Sequence, residues 1–284
     1  VVKRTLGLVL LVAAWAPRPL SASDSSKVPA LAPAERRLAE AVAAITRADY
    51  HGDRAELDRQ AKALTTLSSE KTRVYREYWT GFAYWRRAIN GFNENPWPGD
   101  LFADLDQCAI HERSALAIDP KSEDARSALA GCLTGQIYLT SQPGAASERK
   151  DEILKEAISV MKMVVENSEG NPRSLWIVGG GQAFAPPPYG GHFDKAEATY
   201  RKGLAAARAE VLAKERRDPW VPVWGAPEIF MSLAYMHTMG DAPDRELARA
   251  YAESALSMVP DWHYVKDILL PRIEALPETH AASK

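Results

Sequence analysis

The chain has 284 residues and a formal net charge of −2; 46 residues are Ala and 26 are Leu, against only 27 Val and Ile together. That balance favours helix over sheet, because Ala and Leu lose least on entering a helix and β-branched side chains lose most. The weak charge excludes a polybasic nucleic-acid or membrane-surface protein, and a hydrophobic content of 46% excludes a wholly disordered chain.

At the N-terminus, Lys3 and Arg4 precede an uncharged run from Leu6 to Ala16, and small residues follow at Ser21, Ala22 and Ser23. A basic start, a short apolar core and a small-residue exit are the pattern of a cleavable secretory signal over residues 1–23. The run is shorter than the ~20 residues that a spanning helix needs; a retained anchor is the alternative. Removal of 1–23 leaves 32 basic residues against 37 acidic ones, a net charge of −5. The expectation is a periplasmic or secreted protein with no membrane span after cleavage.

Residues 24–33, rich in Ser, Pro and Ala, read as a linker. The first apolar stripe is Leu38, Ala41, Val42 and Ile45, one face of a helix that stops at His51-Gly52-Asp53. A second helix carries Leu57, Ala61 and Leu64. Further helices are predicted over about 70–92, 100–118, 122–140, 147–168, 172–185, 193–216, 226–239, 244–258 and 262–275, separated by Pro, Gly and Asn breakers. Asn171 before Pro172 is a strong start signal: a capping side chain precedes a residue with no amide hydrogen to leave unpaired. The predicted class is all-α, with a helical domain over 34–275 and a disordered tail over 276–284. Cys108 and Cys132 both lie within helical periodicity, so they either bridge in an oxidising compartment or pack as two small buried thiols.

The helices repeat in pairs, and the second members share a spacing of small residue, larger residue, small residue plus Leu, then Pro. Ala248, Ala252, Ala255-Leu256 and Pro260 are one instance; Cys108, Glu112, Ala115-Leu116 and Pro120 are another. Weaker instances start at Ala157 and Ala196. With Gly191-His192-Phe193-Asp194-Lys195-Ala196 and Tyr200 as the clearest stretch, the chain resembles a divergent tetratricopeptide-repeat (TPR) protein. The small residues that head these helices are 49, 39 and 52 apart, longer than the usual period of about 34, so extra residues sit in the turns. The resemblance implies a right-handed α-solenoid of about five helical hairpins plus a C-terminal capping helix. It implies further that the first helix of each pair lines a concave groove.

On that alignment the groove residues are Tyr78, Phe82, Trp85, Arg86, Gly131, Gly181, Phe184, Phe230 and His237. Gly179, Gly180 and Gly181 within one predicted helix cost about 3 kcal/mol against Ala, and Gly131 and Gly135 about 2 more. They either leave space for a ligand against bare backbone or let helices approach closely. Trp220 and Trp224 stand in the 218–227 connection and read either as a recognition surface or as rings that plug a rim. His111-Glu112 reads as solvated surface.

No metalloprotease spacing, phosphate loop or nucleophile elbow is present, so no catalytic residue and no cofactor is expected. The leading expectation is an exported, non-enzymatic TPR-like scaffold that binds a protein or peptide partner in its groove. The alternative is a periplasmic binding protein for an apolar organic solute, similar to the TPR-like components associated with TRAP transporters.

Overall fold

The computed structural model describes residues 31–143, 148–185, 191–213, 217–239 and 243–277. The signal over 1–23, most of the 24–33 linker, most of the 276–284 tail and parts of the turns at 141–147 and 186–191 lie outside the described residues. From Pro33 onward the chain forms one unit.

The described residues form α-helices and no strand, as the composition predicts. In chain order these are α1 (Pro33–His51), α2 (Arg54–Thr65), α3 (Arg73–Gly91), α4 (Leu101–Ile118), α5 (Glu123–Thr140) and α6 (Lys150–Asn167). Then come α7 (Pro172–Phe184), α8 (Phe193–Leu212), α9 (Ala226–Met236), α10 (Arg245–Met258) and α11 (Leu270–Glu274), the last entered through a π-helical turn, Tyr264–Leu269.

Side chains set several of the starts. Asp53 accepts from the Glu56 amide, Ser122 from Ala125, Asn171 from Arg173 and Ser174, and Asp244 from Leu247. Each pairs a backbone donor that the first turn cannot use internally.

Helices adjacent in sequence pack against each other from α1 through α10. The odd-numbered helices α1, α3, α5, α7 and α9 also touch in series, each meeting the next odd one, which makes them an inner layer. Burial follows from this. α3 buries residues on every side, Tyr78 to Ala83 in an unbroken run, whereas α6 buries only Ile153, Ala157, Val160 and Val164 along one stripe. The disulfide between Cys108 and Cys132, with Cα atoms 6.2 Å apart, ties α4 to α5.

Between α8 and α9 the chain turns inward. Trp220 and Trp224 are buried there and do not form an exposed recognition surface. The Trp79 indole N–H donates to the Trp220 carbonyl at 2.7 Å, and the Trp224 indole N–H donates to the Tyr78 hydroxyl at 2.8 Å. Arg173, buried at the start of α7, fixes the end of this segment. It donates to Asp124 of α5, to Glu210 of α8 and to the Trp224 carbonyl. Gly225, at φ +130°, then turns the chain into α9; a side chain would strain there.

The structure corrects the surface reading of Glu112. It is fully buried beneath Gly81, where an added Cβ would lie 2.6 Å from a Glu112 oxygen, and neither carboxylate oxygen has a hydrogen-bond partner among the described residues. His111 next to it pairs with Glu77 at 2.8 Å and stacks on Tyr84.

Candidate ligand pocket

The expected groove residues fall into three groups. Tyr78, Phe82 and Trp85 are 2–3% exposed and form the floor of an aromatic core. Trp224 covers them, its ring 5.3 Å from Phe82 and 6.0 Å from Trp85, and Trp176 of α7 lies 5.7 Å from Trp85. A Cβ on Gly131 would overlap the Trp85 indole, so this glycine makes room for a protein side chain. Gly179 does the same for Tyr200. Close packing, not ligand space, accounts for both.

Phe230 and His237 form a second group. Phe230 lies 6.4 Å from the Tyr251 ring, and His237 stacks on Tyr251 at 5.7 Å with Phe193 edge-on at 5.3 Å. Both pack toward α10. Gly181 stands apart: it is exposed, with no atom near the position of an added Cβ.

Arg86 and Phe184 make the third group, and they share a cavity of about 290 Å³. From α3 and its C-terminal end come Arg86, Ile89, Asn90, Phe92 and Asn93. Trp176 and Phe184 enter from α7, and Met231, Ser232 and Tyr235 from α9. Trp262 and Tyr264, at the start of the π-helical turn, complete the wall. The pocket thus lies where α3, α7 and α9 of the inner layer converge with the start of the π-helical turn.

Two contacts made by α1 hold this convergence. The Tyr50 hydroxyl donates to Glu228 of α9 at 2.7 Å, and the Tyr50 ring meets Trp262 edge-on at 5.0 Å. Asp49 beside it pairs with Arg86 at 2.8 Å and accepts from Asn90. The Asn90 amide also donates to the carbonyls of Asp49 and Arg86.

The electrostatics centre on Arg86, which is 3% exposed. Burial alone would weaken its hold on the proton, but Asp49 and Glu228 outweigh burial and carry its pKa above the ordinary arginine value. Its guanidinium carbon lies about 6 Å from the rings of Phe82, Trp85 and Trp176, within cation–π range. Burial pushes Glu228 up, against the pull of Arg86 and Tyr50. The other polar groups of the pocket are neutral; Ser232 is oriented by the Trp176 indole N–H, which donates to its hydroxyl at 2.8 Å.

A larger trough of about 480 Å³ lies between α5 and α6, lined by Ile137, Leu154, Ile158, Met161 and Val165 among others. Ile158 is 63% exposed. The trough offers apolar surface without a buried polar group to orient a ligand. No group of His, Cys, Asp and Glu suited to a metal ion occurs among the described residues, and none of their helices is long and apolar enough to cross a membrane.

Fold and site together define an all-helical protein with an aromatic pocket built around a buried arginine. No protein-family model matches the chain, and no curated protein and no solved structure matches it either.

The alignment of small residues reaches Arg86 and Phe184 but misses Trp176, Met231, Ser232, Tyr235, Trp262 and Tyr264. Trp262 and Tyr264 flank the entry to a predicted helix, and the pattern of Trp176 and Tyr235 gives no sign of which helix face closes on α3.

Proposed function

We propose that this protein is a non-enzymatic binding protein for a small organic solute, held in the pocket between α3, α7 and α9. The carrying observation is the pocket itself: an aromatic cavity of about 290 Å³ with a buried, fixed arginine in its wall. Ligand sites are concave and mostly apolar, with a few placed polar groups, and run from about 300 to 1,000 Å³, so this one suits a compact molecule. Among the described residues the lining includes no carboxylate, histidine or cysteine to act as a general base for its one serine, Ser232.

The helices read as a right-handed TPR-like α-solenoid of about five hairpins with a C-terminal cap. The pairwise packing and the serial contacts of the odd helices support this reading. The apolar run after Lys3 and Arg4 supports export, with function in the periplasm or outside the cell.

Burial of Tyr78, Phe82 and Trp85 beneath Trp224 weighs against a peptide lying on those rings. A protein partner is the second reading, favoured by the exposed apolar residues of α6, Leu154, Ile158 and Val165.

Denaturing mass spectrometry of protein purified from its native compartment tests the first reading. The expected result is a small molecule released from the parent chain and absent from a folded Met231→Trp variant, in which the cavity is filled. Equal release from both, or release from neither, contradicts it. For the second reading, crosslinking should capture a specific protein whose yield falls in Ile158→Glu.

A further inference from the structure

Arg86 is the one charged residue among the described residues that line the pocket. Its Nε lies 2.8 Å from an Asp49 oxygen, an ion-pair contact in which the Nε–H itself makes no hydrogen bond. Neither Nη group donates to a protein acceptor among the described residues, and neither is among the polar atoms sealed from solvent, so this end of the fork is open to the cavity. A guanidinium carries five donors in a rigid fork, and the two Nη groups of such a fork match the two oxygens of a carboxylate.

We propose that the pocket takes an organic acid, its carboxylate received by the Nη groups of Arg86 and its compact apolar body set against Trp176, Tyr235 and Trp262. This rests on the pocket being a ligand site, and it adds the chemical class of the ligand.

Several features of the wall carry the assignment. The protein has already desolvated Arg86 and fixed it, by Asp49 on one side and by the rings of Phe82, Trp85 and Trp176 around it. A ligand carboxylate therefore meets a prepared donor and orders no flexible side chain when it binds. Asp49 occupies the Nε side, which leaves the Nη end for a second acceptor. Glu228 does not compete for that end: its oxygens accept from the Tyr50 hydroxyl and the Gly225 amide. Asn90, whose amide hydrogens go to Asp49 and the Arg86 carbonyl, is likewise committed. Outside the cavity, the Arg272 guanidinium lies 4.8 Å from the Tyr235 ring, which adds a second positive group beside the wall. The remaining surface is aromatic and aliphatic, suited to a ring or a short chain.

The test uses matched probes on the intact protein: benzoate, indole-3-acetate, naphthalene-2-carboxylate and octanoate, each beside its neutral carboxamide. Affinities are measured by isothermal titration calorimetry. A charge-assisted hydrogen bond is about twice as strong as a neutral one, so at least one acid should bind about tenfold or more tightly than its amide. The paired variant Arg86→Met/Asp49→Asn removes the guanidinium without leaving Asp49 buried alone. It should bring acid and amide to equal affinity. Arg86→Lys keeps the charge and loses the fork; it should reduce the preference and serves where the double variant does not fold by circular dichroism.

Acid and amide binding equally to the parent protein would overturn the assignment and leave the pocket reading standing. Binding of no probe would overturn both. A preference for acid that survives loss of Arg86 would place the carboxylate elsewhere and overturn the role of this residue.

Discussion

The Tyr50 hydroxyl donates to the Glu228 carboxylate at 2.7 Å, joining α1 to α9 across 178 positions of the chain. The bond ties the first of the inner helices to the last, and the edge contact of Tyr50 on Trp262 backs one residue of the pocket wall. Tyr50→Phe keeps the ring and removes the donor, so Glu228 is left with the Gly225 amide alone. Loss of one partner from a buried acceptor costs roughly 1–3 kcal/mol. Urea denaturation should show that loss; an unchanged midpoint would mean that the bond does not hold the closure.

Gly131 and Gly181 should respond oppositely to alanine. At Gly131 the methyl group would overlap the Trp85 indole, and overpacking of this kind costs about 1–3 kcal/mol. At Gly181 nothing stands near the new Cβ, and alanine should gain up to about 1 kcal/mol of helix propensity. Thermal unfolding of the two variants checks both signs.

Glu112 gives the protein a pH-dependent cost. Burial, then the nearby Asp124 and Glu77, holds its pKa well above the ordinary value of 4.5. Below that value folded and unfolded chains are both protonated. Above it the unfolded chain releases the proton while the folded one retains it, so this residue lowers stability as pH rises toward its folded pKa. Glu112→Gln should remove the dependence, and its stability relative to the parent should increase with pH from about 4.5 upward. A difference that stays constant between pH 4 and 8 would contradict the burial of an uncompensated carboxyl.

The Cys108–Cys132 bridge closes a loop with a sequence separation of 24. In the chain-entropy model such a loop contributes roughly 3 kcal/mol. Unfolding with and without a reductant should differ by about that amount, and identical midpoints would show that the bridge does not stabilise the fold.

Helix positions are legible in this sequence because they rest on local signals. The stripe from Leu38 to Ile45 and the Asn171-Pro172 start appear in the structure as α1 and α7. The π-helical turn is not legible from periodicity alone, although Pro271 marks the place. With no N–H to donate and a ring that crowds the preceding turn, Pro271 disturbs the regular ladder just after the π turn. The inward path of 218–225 is set by distant partners, Tyr78, Trp79 and Arg173, and no local spacing encodes them. The same holds for the pocket: Arg86 is visible as a charge among aromatic residues, but its isolation from water depends on α7, α9 and Trp262 closing over it.

The most direct measurement of the central claim is hydrogen–deuterium exchange, read by mass spectrometry, with and without the tightest-binding probe at saturation. The account predicts slowed exchange confined to segments around 86–93, 176–184, 231–235 and 262–264. Protection centred on α6 near Ile158, or no protection at any segment, would contradict a ligand site between α3, α7 and α9.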